Sequence, residues 1–245
     1  MSEYIHAVAT IVIPASILFL PGITLVKAIE TKNILRSGSY AMLTSLIVFT
    51  LGSFLVAAAG LPIQTTWGIV LLLFLIALYK NRAQLFSIEA LWALLAVILP
   101  ILLLSTVVTV PFIFKHSALP TGDSQKAIIW AQEIIQTNQL PAYQTAIENL
   151  NRDAGDFFTP GLHTLTATIM QAAPHSLTAI GLFSIMLAVV VIWLAATISR
   201  ELFDDSPHII PPLLAAFFVI SNTRFLRYVR EPGYHFQNIV GEVFL

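Results

Sequence analysis

Asp123 follows Gly122 at the head of a helix-forming run, and a carboxylate in that position has three uses. It can cap the free backbone N–H groups of the helix, take a proton from an acceptor hydroxyl, or hold a divalent cation. A second group of acids lies in Asn151-Arg152-Asp153-Ala154-Gly155-Asp156, which reads as a solvated polar turn from its Gly and Asn content. Were Asp156 to approach Asp123, an oxygen-rich cation site would form. His163 ends the run Phe158-Thr159-Pro160-Gly161-Leu162-His163, one turn into a further helix. A lone His there is more often a packing or interfacial group than a ligand, and no His-x-x-x-His spacing supports zinc. Arg224, Arg227 and Arg230 recur every three residues and share a helical face. They suit bidentate clamping of an anionic group, or else snorkelling to lipid head groups. The polar run that follows carries Tyr234, His235 and Glu242, a mixture that suits a site better than an anchor.

These residues have to be positioned by a very apolar chain. Of its 245 residues 57% are hydrophobic and 10% charged, whereas a soluble domain has about 25% charged residues. The fold class is therefore all-α, a polytopic membrane protein. The formal net charge of −1 provides no basic field for nucleic acid, which is excluded as a partner. With no cysteine the chain has no disulfide, thiolate metal site or cysteine nucleophile. No internal repeat or low-complexity tract is apparent.

A helix needs about 20 apolar residues to cross a bilayer. Residues 5–26, 40–60, 61–79 and 91–112 meet or approach that length, and 176–199 and 209–222 supply two more, making about six transmembrane helices. Pro14 and Pro21 predict a kink in the first. The N-terminus has no Lys or Arg ahead of its apolar run, so it reads as a retained span and not a signal peptide.

Lys27, Lys32 and Arg36 follow the first span, and Lys80, Asn81 and Arg82 separate the third from the fourth. The positive-inside rule makes both loops cytoplasmic. The turn at 61–66 and the large polar loop are then external.

Three regions result: four spans in 1–112, a large external loop in 113–175, and two spans with the start of a second external segment in 176–245. Within the loop, residues 126–136 show helical spacing, with Ala127, Trp130 and Ile134 on one side and Gln132, Glu133 and Gln136 on another. This predicts a helix lying on the membrane surface. Thr159-Pro160 starts a second helix that stops before Pro174 and is short for a span. If that helix stays at the surface, 176–199 runs inward and 209–222 outward, bringing Arg224 to Glu242 beside Asp123; if it crosses, they face the cytoplasm. The chain ends at the start of another apolar element, as though the native polypeptide continues.

The order of these features resembles the GT-C superfamily of membrane glycosyltransferases, which take sugar from polyprenyl-phosphate carriers. The likeness rests on Gly122-Asp123-Ser124, the helix after it, the turn Asn138-Gln139-Leu140-Pro141, the helix start from Phe158 to His163, and the Arg, Tyr and acid-rich segment from Arg224 to Glu242. It covers roughly Val110 to Leu245 and favours the surface arrangement of the Pro160 helix. It implies an integral protein of the plasma or inner membrane, with its active loop on the non-cytoplasmic side. There a sugar passes with inversion from a polyprenyl-phosphate-linked donor to a protein, glycan or lipid acceptor.

In that reading Asp123 is the general base. Arg224, Arg227 and Arg230 bind the donor phosphate, and Asp156, His163, Tyr234, His235 and Glu242 are candidates for substrate or cation. No cofactor is required; a divalent cation, Mg or Mn, is optional, with Asp123 and Glu242 as its ligands. Asp123-Ser124-Gln125 stands where the family's metal-dependent members have an Asp-x-Asp pair. A competing reading is a non-catalytic membrane subunit that binds lipid or a partner chain. A transporter is less favoured, because the spans keep almost all their charge at their ends.

Overall fold

The computed structural model describes residues 2–25, 34–85, 123–140 and 160–203, with isolated helical positions at 92, 95, 99, 211, 212 and 214–216. These residues form helices and the turns that join them. The helices are α1 (Ser2–Leu25), α2 (Ile34–Ala58), α3 (Thr65–Leu85), α4 (Asp123–Thr137), α5 (Pro160–Ala172) and α6 (Ser176–Leu202). An apolar run in lipid has to satisfy every backbone N–H and C=O within itself, and a helix does so.

Among the described residues, three helical stretches are long and apolar enough to cross a membrane: Tyr4–Thr24, Leu35–Ala58 and Ser176–Leu202. The expected span at 61–79 falls on α3, which is not among them. α3 begins four residues later and carries Lys80, Asn81 and Arg82 inside its helical bounds, where a loop was expected. Lys80 and Arg82 extend a helix readily, and Asn81 donates its amide N–H to the Thr24 carbonyl of α1. The expected span at 209–222 falls largely, and that at 91–112 almost wholly, outside the described residues; Trp92, Leu95 and Leu99 are helical and exposed.

One core joins all six helices. It holds Ile17 and Leu18 of α1, Met42, Leu46 and Phe49 of α2, Val70 of α3, Ile128 of α4, Leu165 and Ile169 of α5, and Phe183 and Met186 of α6. Phe49 meets Trp67 edge to face, with ring centroids 5.0 Å apart.

Apolar packing cannot by itself choose a register between greasy helices, so small and hydroxyl side chains do it. Gly22 lies so close to α2 that its N–H donates to Ser45 Oγ at 2.8 Å. The α6 indole of Trp193 donates to the Leu35 carbonyl at 3.0 Å, and the hydroxyls of Ser39 and Thr197 are 2.9 Å apart.

These bonds sort the helix termini into two ends. At one lie the C-terminus of α1, the N-terminus of α2, the C-terminus of α3 and the C-terminus of α6, with Arg36, Lys80, Arg82 and Arg200. At the other lie the α2–α3 turn, the N-terminus of α1 and the start of α6, where the rings of His6 and His175 meet at 6.1 Å. α6 therefore runs antiparallel to α2.

Candidate functional site

Asp123 is the first residue of α4. The helix it opens buries Ala127, Ile128, Trp130, Ala131 and Ile134 and exposes Gln132 and Gln136, the two-sided pattern expected from sequence. The apolar side is turned toward protein, not toward a membrane surface: Ala131 and Ile134 pack with Ala167 of α5 and with Val56, Ala57 and Ile63 around the α2–α3 turn. Asn138 closes α4 at φ 55°, a left-handed backbone that Asn tolerates well, and its N–H returns to the Ile134 carbonyl at 2.9 Å. The Asn that opens the Asn-Gln-Leu-Pro turn is thus a helix stop.

α5 starts at Pro160, where sequence reasoning placed a helix start. Its first turn sits against α2: a Cβ on Gly161 would come within 2.9 Å of Thr50 Cγ2, so the small residue is what permits the approach. Three residues on, Ser53 Oγ donates to Thr164 Oγ1 at 3.0 Å. The pairing of 161 with 50 and 164 with 53 makes α5 parallel to α2. Gly161 accordingly lies about 12 Å below the end of α2, at 1.5 Å per residue, and α5 climbs from there to the turn end. At 13 residues it does not reach from one end of the bundle to the other.

Residues 162 to 169 are all buried, although five of the eight are His, Thr or Ala. Hydroxyls that bond back to their own helix make this affordable in a tight interior. Thr164 Oγ1 donates to the Gly161 carbonyl at 3.0 Å, Thr166 to Leu162 at 2.9 Å and Thr168 to Thr164 at 2.8 Å. From α3, Trp67 Nε1 donates to the Thr168 carbonyl at 3.2 Å.

His163 is 2% exposed and meets the Trp130 ring edge to face at a centroid distance of 6.2 Å. This contact joins α5 to α4. Trp130 stands two turns after Asp123, about 10 Å along the helix axis. The contact therefore fixes where the leading end of α4 lies. Replacing Trp130 by Leu should weaken that joint by about 2 kcal/mol. Limited proteolysis checks it: cleavage within 123–140 should accelerate, and an unchanged digestion pattern would mean that the indole does not hold α4.

Asp156, Arg224, Arg227, Arg230, Tyr234, His235 and Glu242 lie outside the described residues. Among the described residues no three His, Asp or Glu side chains gather as metal ligands. Sequence reasoning missed the contact of Gly161 and Thr164 on α5 with Thr50 and Ser53 on α2. It also missed His6 and His175, far apart in the chain and carrying no signal of their meeting.

The described site is thus a platform of two short parallel helices, wedged over the α2–α3 turn, with one carboxylate-bearing residue at its leading end. Such an arrangement can hold an acidic group at a fixed place beside an all-helical bundle. No protein-family model matches the chain, and no curated protein or solved structure matches it.

Proposed function

We propose that this chain is a membrane glycosyltransferase of GT-C type, which transfers a sugar with inversion from a polyprenyl-phosphate-linked donor to an acceptor on the non-cytoplasmic side. The observation that carries the reading is the placement of Asp123 as the opening residue of an amphipathic helix docked on a second short helix. That is the sequence of parts the resemblance implies, and the C-terminal ends of α4 and α5 lie beside the α2–α3 turn, away from Arg36, Lys80, Arg82 and Arg200. The positive-inside rule makes the basic end cytoplasmic, so those ends of α4 and α5 face out. The reading includes six spans, with 91–112 and 209–222 as the fourth and sixth.

In this reaction the Asp123 carboxylate takes the proton of the acceptor hydroxyl as its oxygen attacks the anomeric carbon. The bond from that carbon to the phosphate oxygen breaks, and the polyprenyl phosphate leaves with the electron pair. Arg224, Arg227 and Arg230 stabilise the charge growing on the departing phosphate. Purified protein in vesicles should convert a polyprenyl-phosphate sugar in the presence of acceptor. Retention of that lipid without turnover would instead favour the non-catalytic subunit.

A further inference from the structure

His6 stands near the start of α1, and His175 immediately ahead of α6 in the short turn that joins it to α5. Both side chains are exposed, and their rings meet edge to face with centroids 6.1 Å apart and planes at 79°. His6 lies near the beginning of the apolar stretch Tyr4–Thr24 and His175 just before Ser176–Leu202, so both stand at the rim of the hydrocarbon, within reach of water and ions. Among the described residues neither imidazole makes a hydrogen bond or ion pair; only the two backbone carbonyls are engaged, accepting from Thr10 Oγ1 and from the Ala179 N–H. Thr10 and Ala179, each one turn further along, are buried, so the rings are carried on backbone that is held in place.

Two exposed rings in edge contact bury little apolar area, so packing is a weak reason for the pair. Imidazole is the commonest metal ligand and suits Zn²⁺, Cu²⁺ and Ni²⁺, whereas Mg²⁺ and Ca²⁺ take oxygen. A Zn–N bond of about 2.0–2.1 Å puts two imidazoles on one tetrahedral ion with ring centres about 5–6 Å apart. The observed separation is close to that, and exposed side chains on fixed backbone need only a small rotation to aim a nitrogen each at a common point. We propose that His6 and His175 form a two-imidazole site for a transition-metal ion of the Zn²⁺ class, with water in the remaining positions. The ion would tie the α5–α6 turn to the start of α1, using none of the residues assigned to sugar transfer.

The test is calorimetric titration of Zn²⁺ into the full chain in detergent, freed of any histidine tag. The wild-type chain should bind Zn²⁺, and excess Mg²⁺ should not displace it. His6→Ala and His175→Ala should each weaken the zinc affinity at least about tenfold, since even a group that only orients a metal ligand is worth about 10–100-fold. Both side chains are exposed, so the variants should fold, as circular dichroism can verify. The chain has six histidines, so zinc affinity that survives in either variant would put the ion elsewhere and overturn the proposal. Absence of zinc binding to the wild-type chain, or its displacement by Mg²⁺, would do the same. A readout that needs no substitution is the spin-echo spectrum of one equivalent of Cu²⁺, which should show modulation from two imidazoles; modulation from one would count against the site.

Discussion

Asp123→Asn lowers sugar release from a polyprenyl-phosphate donor roughly a hundredfold or more while leaving the helices folded, if the carboxylate is the base of the transfer. The choice of Asn separates chemistry from structure. Asp and Asn serve about equally well at a helix start, so the substitution keeps whatever backbone N–H contacts Asp123 makes in opening α4 and removes only its charge and basicity. A residue that merely starts the helix would tolerate the change, and turnover near that of the wild type would withdraw Asp123 from the role of base. Comparison with Asp123→Ala sharpens the point. Ala removes both functions, so a helix-start role would show as a loss in Ala alone, whereas a base would show as similar losses in both variants.

The second large effect is on stability. A Cβ added at Gly22 would stand 1.7 Å from the Ala41 carbonyl oxygen and 2.6 Å from Ser45 Oγ. The first is backbone, so no rotamer change relieves it, and α1 and α2 would have to part along their most intimate contact. Gly22→Ala should cost about 3 kcal/mol, the upper part of the range for overpacked interiors, and separation would also break the bond from Gly22 N–H to Ser45. Thermal unfolding in detergent provides the measurement, with Gly68→Ala as control because its Cβ would meet nothing within 4 Å. Ala at such an open helical site should leave stability unchanged or raise it by up to about 1 kcal/mol. Similar melting temperatures for the two variants would show that the α1–α2 approach is looser than described.

Much of the element order was legible in the sequence because hydrophobic runs and helix punctuation are local signals. The run 5–26 corresponds to α1, 40–60 to α2, 126–136 to α4 and 176–199 to α6, each within a few residues or one to two turns, and Pro160 opens α5 as its position after Thr159 predicted. What the runs could not disclose is which face meets which neighbour. An amphipathic stripe such as Ala127, Trp130 and Ile134 is equally at home on lipid or on another helix, and α4 uses it against α5. The burial of α5 was hidden for a different reason. Its Thr side chains read as polar, but their hydroxyls are satisfied one turn back, so the helix behaves as apolar once folded. Lys80 and Arg82 read as a loop because charge usually ends a span, whereas here the helix continues through them to Leu85. For the candidate site, the sequence supplied Asp123 and the two helices, while the contact of His163 with Trp130, 33 positions earlier, could not be read from spacing.

The ties between α2 and α6 bear on the order in which the molecule is made. Trp193 and Leu35 are 158 positions apart, as are Thr197 and Ser39. At about 5–20 residues per second, a ribosome needs roughly 8–32 s to cover that distance. The α1–α2 hairpin can close as soon as its own residues emerge, since Gly22 and Ser45 are only 23 apart. Ser39 must then wait while 158 further residues are made before Thr197 exists. During that interval the side of α2 that later meets α6 is an unfinished surface, although Ser39 already bonds to the Leu35 carbonyl of its own helix, so the nascent hairpin is the stage at which a membrane chaperone, or a wrong helix, has time to bind.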